Sequence, residues 1–214
     1  MSPLQRFDNL SDDRRAAILQ AAAEEFSLHG FDGASFARII ERSGLSKGAM
    51  YYYFENKEDL YRTVLLQAIG PLVTLWESVP QAQTAAEFWA GLADLLRRSF
   101  RFYEENPLAM GLGKSLVRLM TSGQHNAPVA ELRAKAEQWT RDFFRRGRAV
   151  GALRTDLPEE LLVPMILKMD EAMDAWFVEH WGEMEPAEME RIGGLLLDLV
   201  RRVLEPPRAA QEVS

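Results

Sequence analysis

Residues 46–54, Ser-Lys-Gly-Ala-Met-Tyr-Tyr-Tyr-Phe, gather a lysine, two small residues and a run of aromatics on one short segment. Together these side chains offer hydrogen bonds, positive charge and flat rings. On a helix of 3.6 residues per turn, Tyr51, Tyr52, Tyr53 and Phe54 cannot all face a core, so one or two must face outward. Outward tyrosine hydroxyls are suited to donating hydrogen bonds to phosphates. Lys47 can reach guanine edges or phosphates, while Gly48 and Ala49 keep the helix start slim enough for a major groove about 12 Å wide. The chemistry implied is contact with double-stranded DNA.

Positioning such a surface takes short helices and a fixed turn. Ser35 to about Ser43 reads as one helix, burying Phe36, Ile39 and Ile40. Ser43-Gly44-Leu45-Ser46 then turns the chain: glycine takes the left-handed position, Leu45 plugs a small core and Ser46 caps the next helix, which ends near Tyr53. This is a helix-turn-helix. Ahead of it, Ser11 opens a helix with Asp12 and Asp13 in its first turn and Ile18, Ala22 and Phe26 on its inner face, stopped by Gly30. Asn56 caps a fourth helix running to about Glu77, which Gly70-Pro71 should kink or split. Longer helices follow: one from the Thr84/Glu87 capping box, one from Asn106-Pro107, one over Asn126 to about Val150, one from Pro158 to Gly182, and one from Pro186 to Pro206. Strand signals are absent, so the expected fold is all-α with about nine helices. We place the division at 1–58, a three-helix DNA-binding domain, and 59–214, a helical effector-binding and dimerisation domain.

The chain has 214 residues, 25 basic and 32 acidic side chains, a net charge of −7 and no cysteine. That composition is ordinary for a globular protein and rules out a disulfide scaffold, a cysteine-based metal centre and a thiol nucleophile. The N-terminus turns charged before any apolar run, unlike a signal peptide, and no stretch approaches the roughly 20 apolar residues of a membrane helix. A cytoplasmic protein without a membrane partner or cofactor is expected. The first sixty residues hold seven basic against ten acidic side chains, a net −3. DNA affinity must then rest on local charge, helix N-termini and dimerisation.

The segment SKGAMYYYFENKEDL, residues 46–60, resembles the recognition helix and following turn of the tetracycline-repressor (TetR) family, and FDGASFARIIERSG, residues 31–44, resembles that family's second helix. The resemblance covers about the first quarter of the chain. It implies a transcriptional regulator whose DNA contacts come from Ser35, Ser46, Lys47, Gly48, Ala49, Tyr51, Tyr52 and Lys57, with Lys57 holding a phosphate. Two positions depart from the pattern. Tyr53 stands where histidine is frequent, so its DNA contact is left open, and Phe36 replaces a smaller or β-branched residue.

The remainder carries composition without a motif. Trp89, Phe102, Met110, Met120, Trp139, Phe143, Met169, Met173 and Trp176 are bulky, soft residues suited to an adaptable cavity for a small-molecule effector. Asp170 and Asp174, one turn apart, would favour a cationic or hydrogen-bonding effector if partly buried. Trp176, Phe177, Ile192, Gly193, Leu196, Leu199 and Val203 on the last two helices are the expected homodimer surface, with Gly193-Gly194 letting a partner helix approach. Two copies would address half-sites of a palindromic operator about 34 Å, one helical turn, apart. Gly111-Leu112-Gly113-Lys114-Ser115 lacks the first glycine and the preceding strand of a phosphate-binding loop. Asn9-Leu10-Ser11 matches a glycosylation acceptor without a secretory signal, and His29, His125 and His180 are scattered. The leading reading is a repressor released by a small molecule; the alternative is a helical carrier or enzyme on the same scaffold without operator binding.

Overall fold

The structure, a computed structural model, describes residues 6–7, 9–77, 82–121 and 127–207. Among them are nine long or short helices: α1 (Asp12–Gly33), α2 (Phe36–Ser43), α3 (Lys47–Tyr53), α4 (Lys57–Glu77), α5 (Ala85–Glu105), α6 (Pro107–Thr121), α7 (Ala127–Ala149), α8 (Glu159–His180) and α9 (Pro186–Leu204). No strand occurs among the described residues.

Local chemistry sets most of the ends. Ser35 and Ser46 accept from the amides of Arg38 and Ala49, and Asn56 Oδ1 accepts from the Asp59 amide at 2.9 Å. The Thr84 hydroxyl accepts from the Glu87 amide, while the Glu87 carboxylate accepts from the Gln83 amide, a capping box displaced by one residue. Ser11 departs from expectation: its side chain makes no capping bond, and the first turn is held instead by the Arg15–Asp12 ion pair. Gly30 breaks α1 at φ 66°, which turns Phe31 back into the core. Gly70-Pro71 does not split α4, which continues through Pro71 to Glu77. Packing on both sides of the proline offsets its missing amide: Leu65 and Ile69 are buried before it, and Val73 packs on the same core after it.

The chain forms two compact units. The first takes residues up to Val73 together with Tyr103–Leu132. Its core joins Ile18, Ala22 and Phe26 of α1, Ile39 of α2, Met50 of α3, Phe54, Leu60, Tyr61 and Leu65 around α4, and Leu112 and Leu119 of α6. Burial of Leu60 to Leu65 carries this unit past residue 58. A Cβ at Gly111 would stand 1.7 Å from Ser27 Oγ, so α6 crosses α1 where glycine alone fits. The Tyr61 hydroxyl is 3.2 Å from Ser115 Oγ, and burial pushes its pKa up to about 12. The second unit takes Thr74–Phe102 and the chain from Arg133. Phe88, Trp89, Leu92 and Leu95 of α5 pack there with Phe143 and Phe144 of α7, Leu153, Leu162, Val163, Val200 and Leu204. Arg154 donates from its amide to the Leu204 carbonyl and from its guanidinium to the Val203 carbonyl, closing the end of α9.

Candidate nucleic-acid interface

The interface begins with a buried acid on α1. Glu25 follows Ile18, Ala21 and Ala22 at helical spacing on the inner face, yet is 1% exposed. Its Oε1 accepts from the Ser35 amide at 2.8 Å and from Arg38 Nε and Nη2 at 2.9 and 2.5 Å. Those bonds with Arg38 hold the carboxyl below its ordinary value of 4.5, against the upward pull of burial. One carboxylate thus ties the start of α2 to α1. Glu25 belongs to no motif; its one signal in the sequence is an acid on an otherwise apolar stripe.

From that anchored start, Gly44 at φ 70° turns the chain into α3. Lys47 and Gly48 are exposed, Ala49 is half-exposed, and a Cβ at Gly48 would meet nothing within 4 Å. The smallness of Gly48 is therefore not required by this chain's own packing. The hydroxyl oxygens of Ser35 and Ser46 serve as caps, which leaves each hydroxyl proton able to donate outward. Tyr51 and Tyr52 are 50% and 53% exposed, whereas Phe54 is fully buried against Phe7 at 5.0 Å. Tyr53 is half-buried, its ring edge toward Phe7 at 6.5 Å. Phe36 meets Tyr51 edge-on at 5.3 Å, so the unusual aromatic at position 36 props an exposed ring beside Ser35.

Lys57 is held by contacts within the chain. Its ammonium donates to the carbonyls of Asp32 and Ala34 at 3.3 and 3.2 Å and lies 4.7 Å from the centre of the Phe31 ring. It staples the loop after α1 to the start of α4, because two unpaired carbonyls at the end of α1 need a donor.

The expected effector residues divide between the two units. Met110 is buried in the first unit, and Met120 is half-buried against its core. Trp89 and Phe143 are buried in the core of the second unit. Phe143 and Trp139 stack at 5.4 Å and line a hollow of about 250 Å³ with Glu77, Lys135, Gln138, Asp142 and Arg146. Trp139 Nε1 donates to the Trp76 carbonyl at 2.7 Å. Phe102 is half-buried, as are Met169 and Met173, which pack on the second core. Asp170 stands two turns from Val163 and Phe177, and Asp174 two turns from Leu167, so each acid follows packed residues at helical spacing on α8. Both residues are exposed, and their carboxylates have no hydrogen-bonding or ionic partner among the described residues. Protein atoms crowded around them push Asp170 up to about 6 and, with the charge of Asp170 added, raise Asp174 well above its ordinary value of 3.8.

The expected dimer residues need a change of register. A Cβ at Gly193 would come within 2.6 Å of Phe100, so this glycine serves packing inside the subunit. Phe177 is likewise engaged by Phe100 at 5.0 Å, and Trp176 stacks on His180 at 4.4 Å. Ile192, Leu196 and Val203 are half-buried. The exposed apolar residues on these two helices are Leu161 and Met165 of α8 and Leu195 and Leu199 of α9, each pair one turn apart. Gly194 faces open space.

The remaining motifs find structural roles. Gly111 to Ser115 lies within α6, with Gly111 against Ser27 and Ser115 on Tyr61. His29 sits 3.9 Å from Glu25, and His125 falls outside the described residues. No group of acids and histidines among the described residues could hold a metal, and no described helix is long and apolar enough to cross a membrane.

Residues 18–64 match the family model described as bacterial regulatory proteins, tetR family. The HTH-type transcriptional repressor AcnR of Corynebacterium efficiens is 26% identical over 151 residues, covering 69% of this chain and 73% of that protein. A TetR family transcriptional regulator from Chloroflexus aurantiacus superposes with a TM-score of 0.60 at 26% identity, covering 93% of this chain and 91% of that one. The transcriptional regulator FadR from Bacillus subtilis, solved with stearoyl-CoA, shares the fold at a TM-score of 0.67 and 18% identity, covering 86% of this chain and 96% of that one.

Proposed function

The chain belongs to the tetR family of DNA-binding transcriptional regulators, and from that premise we propose that it is a homodimeric repressor released from a palindromic operator by a small molecule. The observation that carries the reading is α3. It is capped by Ser46 and anchored through Glu25 of α1, and it presents Lys47, Gly48, Tyr51 and Tyr52 outward. Ser35 and Ala49 border the same surface. In this reading Tyr53 and Lys57 support it from behind.

Two subunits pair through Leu161, Met165, Leu195 and Leu199, which bury against their symmetry mates in a twofold interface. The effector is a small cation with an apolar body. Two adjacent carboxylates, costly to keep charged where they stand, gain from a positive ligand group, and the flanking apolar stripe gains from its body.

A gel shift with the DNA flanking the protein's own gene, at stated salt, tests the reading. Retardation that an added organic amine reverses is the expected result. No retardation of any flanking fragment would instead favour a carrier or enzyme on this scaffold.

A further inference from the structure

Free positive charge is scarce in the DNA-binding region. Of its cations, Arg15 is tied to Asp12, Arg38 to Glu25 and Arg42 to Glu24, while Lys57 is turned to backbone carbonyls. Arg6, Arg14 and Lys47 remain without an acidic partner among the described residues. Only Lys47 belongs to the surface assigned above.

We propose that Arg6 and Arg14 are phosphate clamps, one at each end of α3. The proposal rests on the DNA-binding reading. Arg6 is fixed by its neighbour: Phe7 is 2% exposed, wedged between Tyr53 and Phe54. That wedge sets the Arg6 guanidinium 4.5 Å from the centre of the exposed Tyr52 ring. A guanidinium held over a ring face uses none of its N–H groups for the contact, so its fork stays free for a phosphate. The Tyr52 hydroxyl stands beside it as a second donor.

Arg14 marks the other end. It is exposed on the first turn of α1 and lines a notch with Ser43, Gly44, Leu45 and Ser46, the cap of α3. Asp13 lines the same notch, without a bond to Arg14. The two arginines therefore flank the tyrosine end and the capped end of the helix. A phosphate backbone running past a helix that sits in the groove has to pass both ends, and a bidentate guanidinium suits each contact.

The test is the salt dependence of binding to a duplex of about three helical turns with a site selected by the parent protein from random sequence. Arg6→Ala and Arg14→Ala should each lower the slope of log affinity against log salt by about 0.9 per subunit. Between about 50 and 200 mM salt, the parent dimer then loses roughly 12-fold more affinity than either variant dimer, roughly 3.5-fold per subunit. Arg6→Lys should restore most of the slope. Arg141→Ala in the second unit removes the same charge and should leave the slope alone. Thermal unfolding of each variant confirms that the folded chain is being read. An unchanged slope in Arg6→Ala or Arg14→Ala, with the parent still binding, overturns the clamp pair and spares the DNA-binding reading. A parent that binds no duplex at the lowest salt overturns both.

Discussion

Ser27 of α1 and Gly111 of α6 meet so closely that a Cβ at position 111 would lie 1.7 Å from Ser27 Oγ and 2.8 Å from Ser27 Cβ. Gly111→Val should therefore overpack the crossing and cost about 1–3 kcal/mol, a β-branched side chain recovering little of glycine's helix penalty. Denaturant midpoints measure the loss. Adding Ser27→Gly should return part of it, and a double variant no better than Gly111→Val would refute the contact.

Glu25 holds the α1–α2 junction. Glu25→Ala strands the Ser35 amide and removes the carboxylate from Arg38, a loss of about 1–3 kcal/mol. The pH dependence has a definite sign. The folded carboxyl lies below its ordinary value of 4.5, so its stabilisation is complete above that pH and is lost as pH falls through the folded value. Unfolding temperature followed from pH 7 downward should show a shallower acid decline in Glu25→Gln than in the parent. Equal declines would mean that another acid controls it.

Asp170 runs the opposite way. With a folded pKa of about 6 against an ordinary 3.8, the native state keeps a proton that the unfolded chain releases between those values. Stability falls as pH rises across that window and is flat above it. Asp170→Asn should raise the unfolding temperature at pH 7.5 and leave it nearly unchanged at pH 4. An Asn variant destabilised at pH 7.5 would show that the charge is compensated in the native protein.

The exposed leucines of α9 give a test of assembly. Leu195→Glu with Leu199→Glu should turn a dimer into a helical monomer, read as mass by light scattering with far-ultraviolet circular dichroism as the check on folding. Glutamate at these two sites meets solvent in the single subunit and an apolar partner in the pair. A parent that is already monomeric, or a double variant that stays dimeric, would remove this face from consideration.

Lys57→Ala should lower stability by about 1 kcal/mol, because the Asp32 and Ala34 carbonyls lose their donor. Urea unfolding measures it. A variant as stable as the parent would mean that water replaces the ammonium without cost.

The local rules of the chain were enough to place α2, the Gly44 turn, the Ser46 cap and α3. Each depends on neighbours within about four residues, which periodicity and capping chemistry register directly. The outward turn of Tyr51 and Tyr52 and the burial of Phe54 also followed in outline, because a helix cannot hide adjacent aromatics on one side. What lay beyond sequence was every choice between partners far apart in the chain. Nothing in the spacing of Lys57 pointed to the carbonyls of Asp32 and Ala34, which its ammonium reaches in the fold. Gly193 looked like an opening for a partner until Phe100 occupied it. Glu25, unremarked on its helix, became the tie between α1 and α2 only when Arg38 was folded onto it. A side chain's type and spacing limit what it can bond, but which bond forms depends on distance in the folded chain, and only tertiary packing sets that distance.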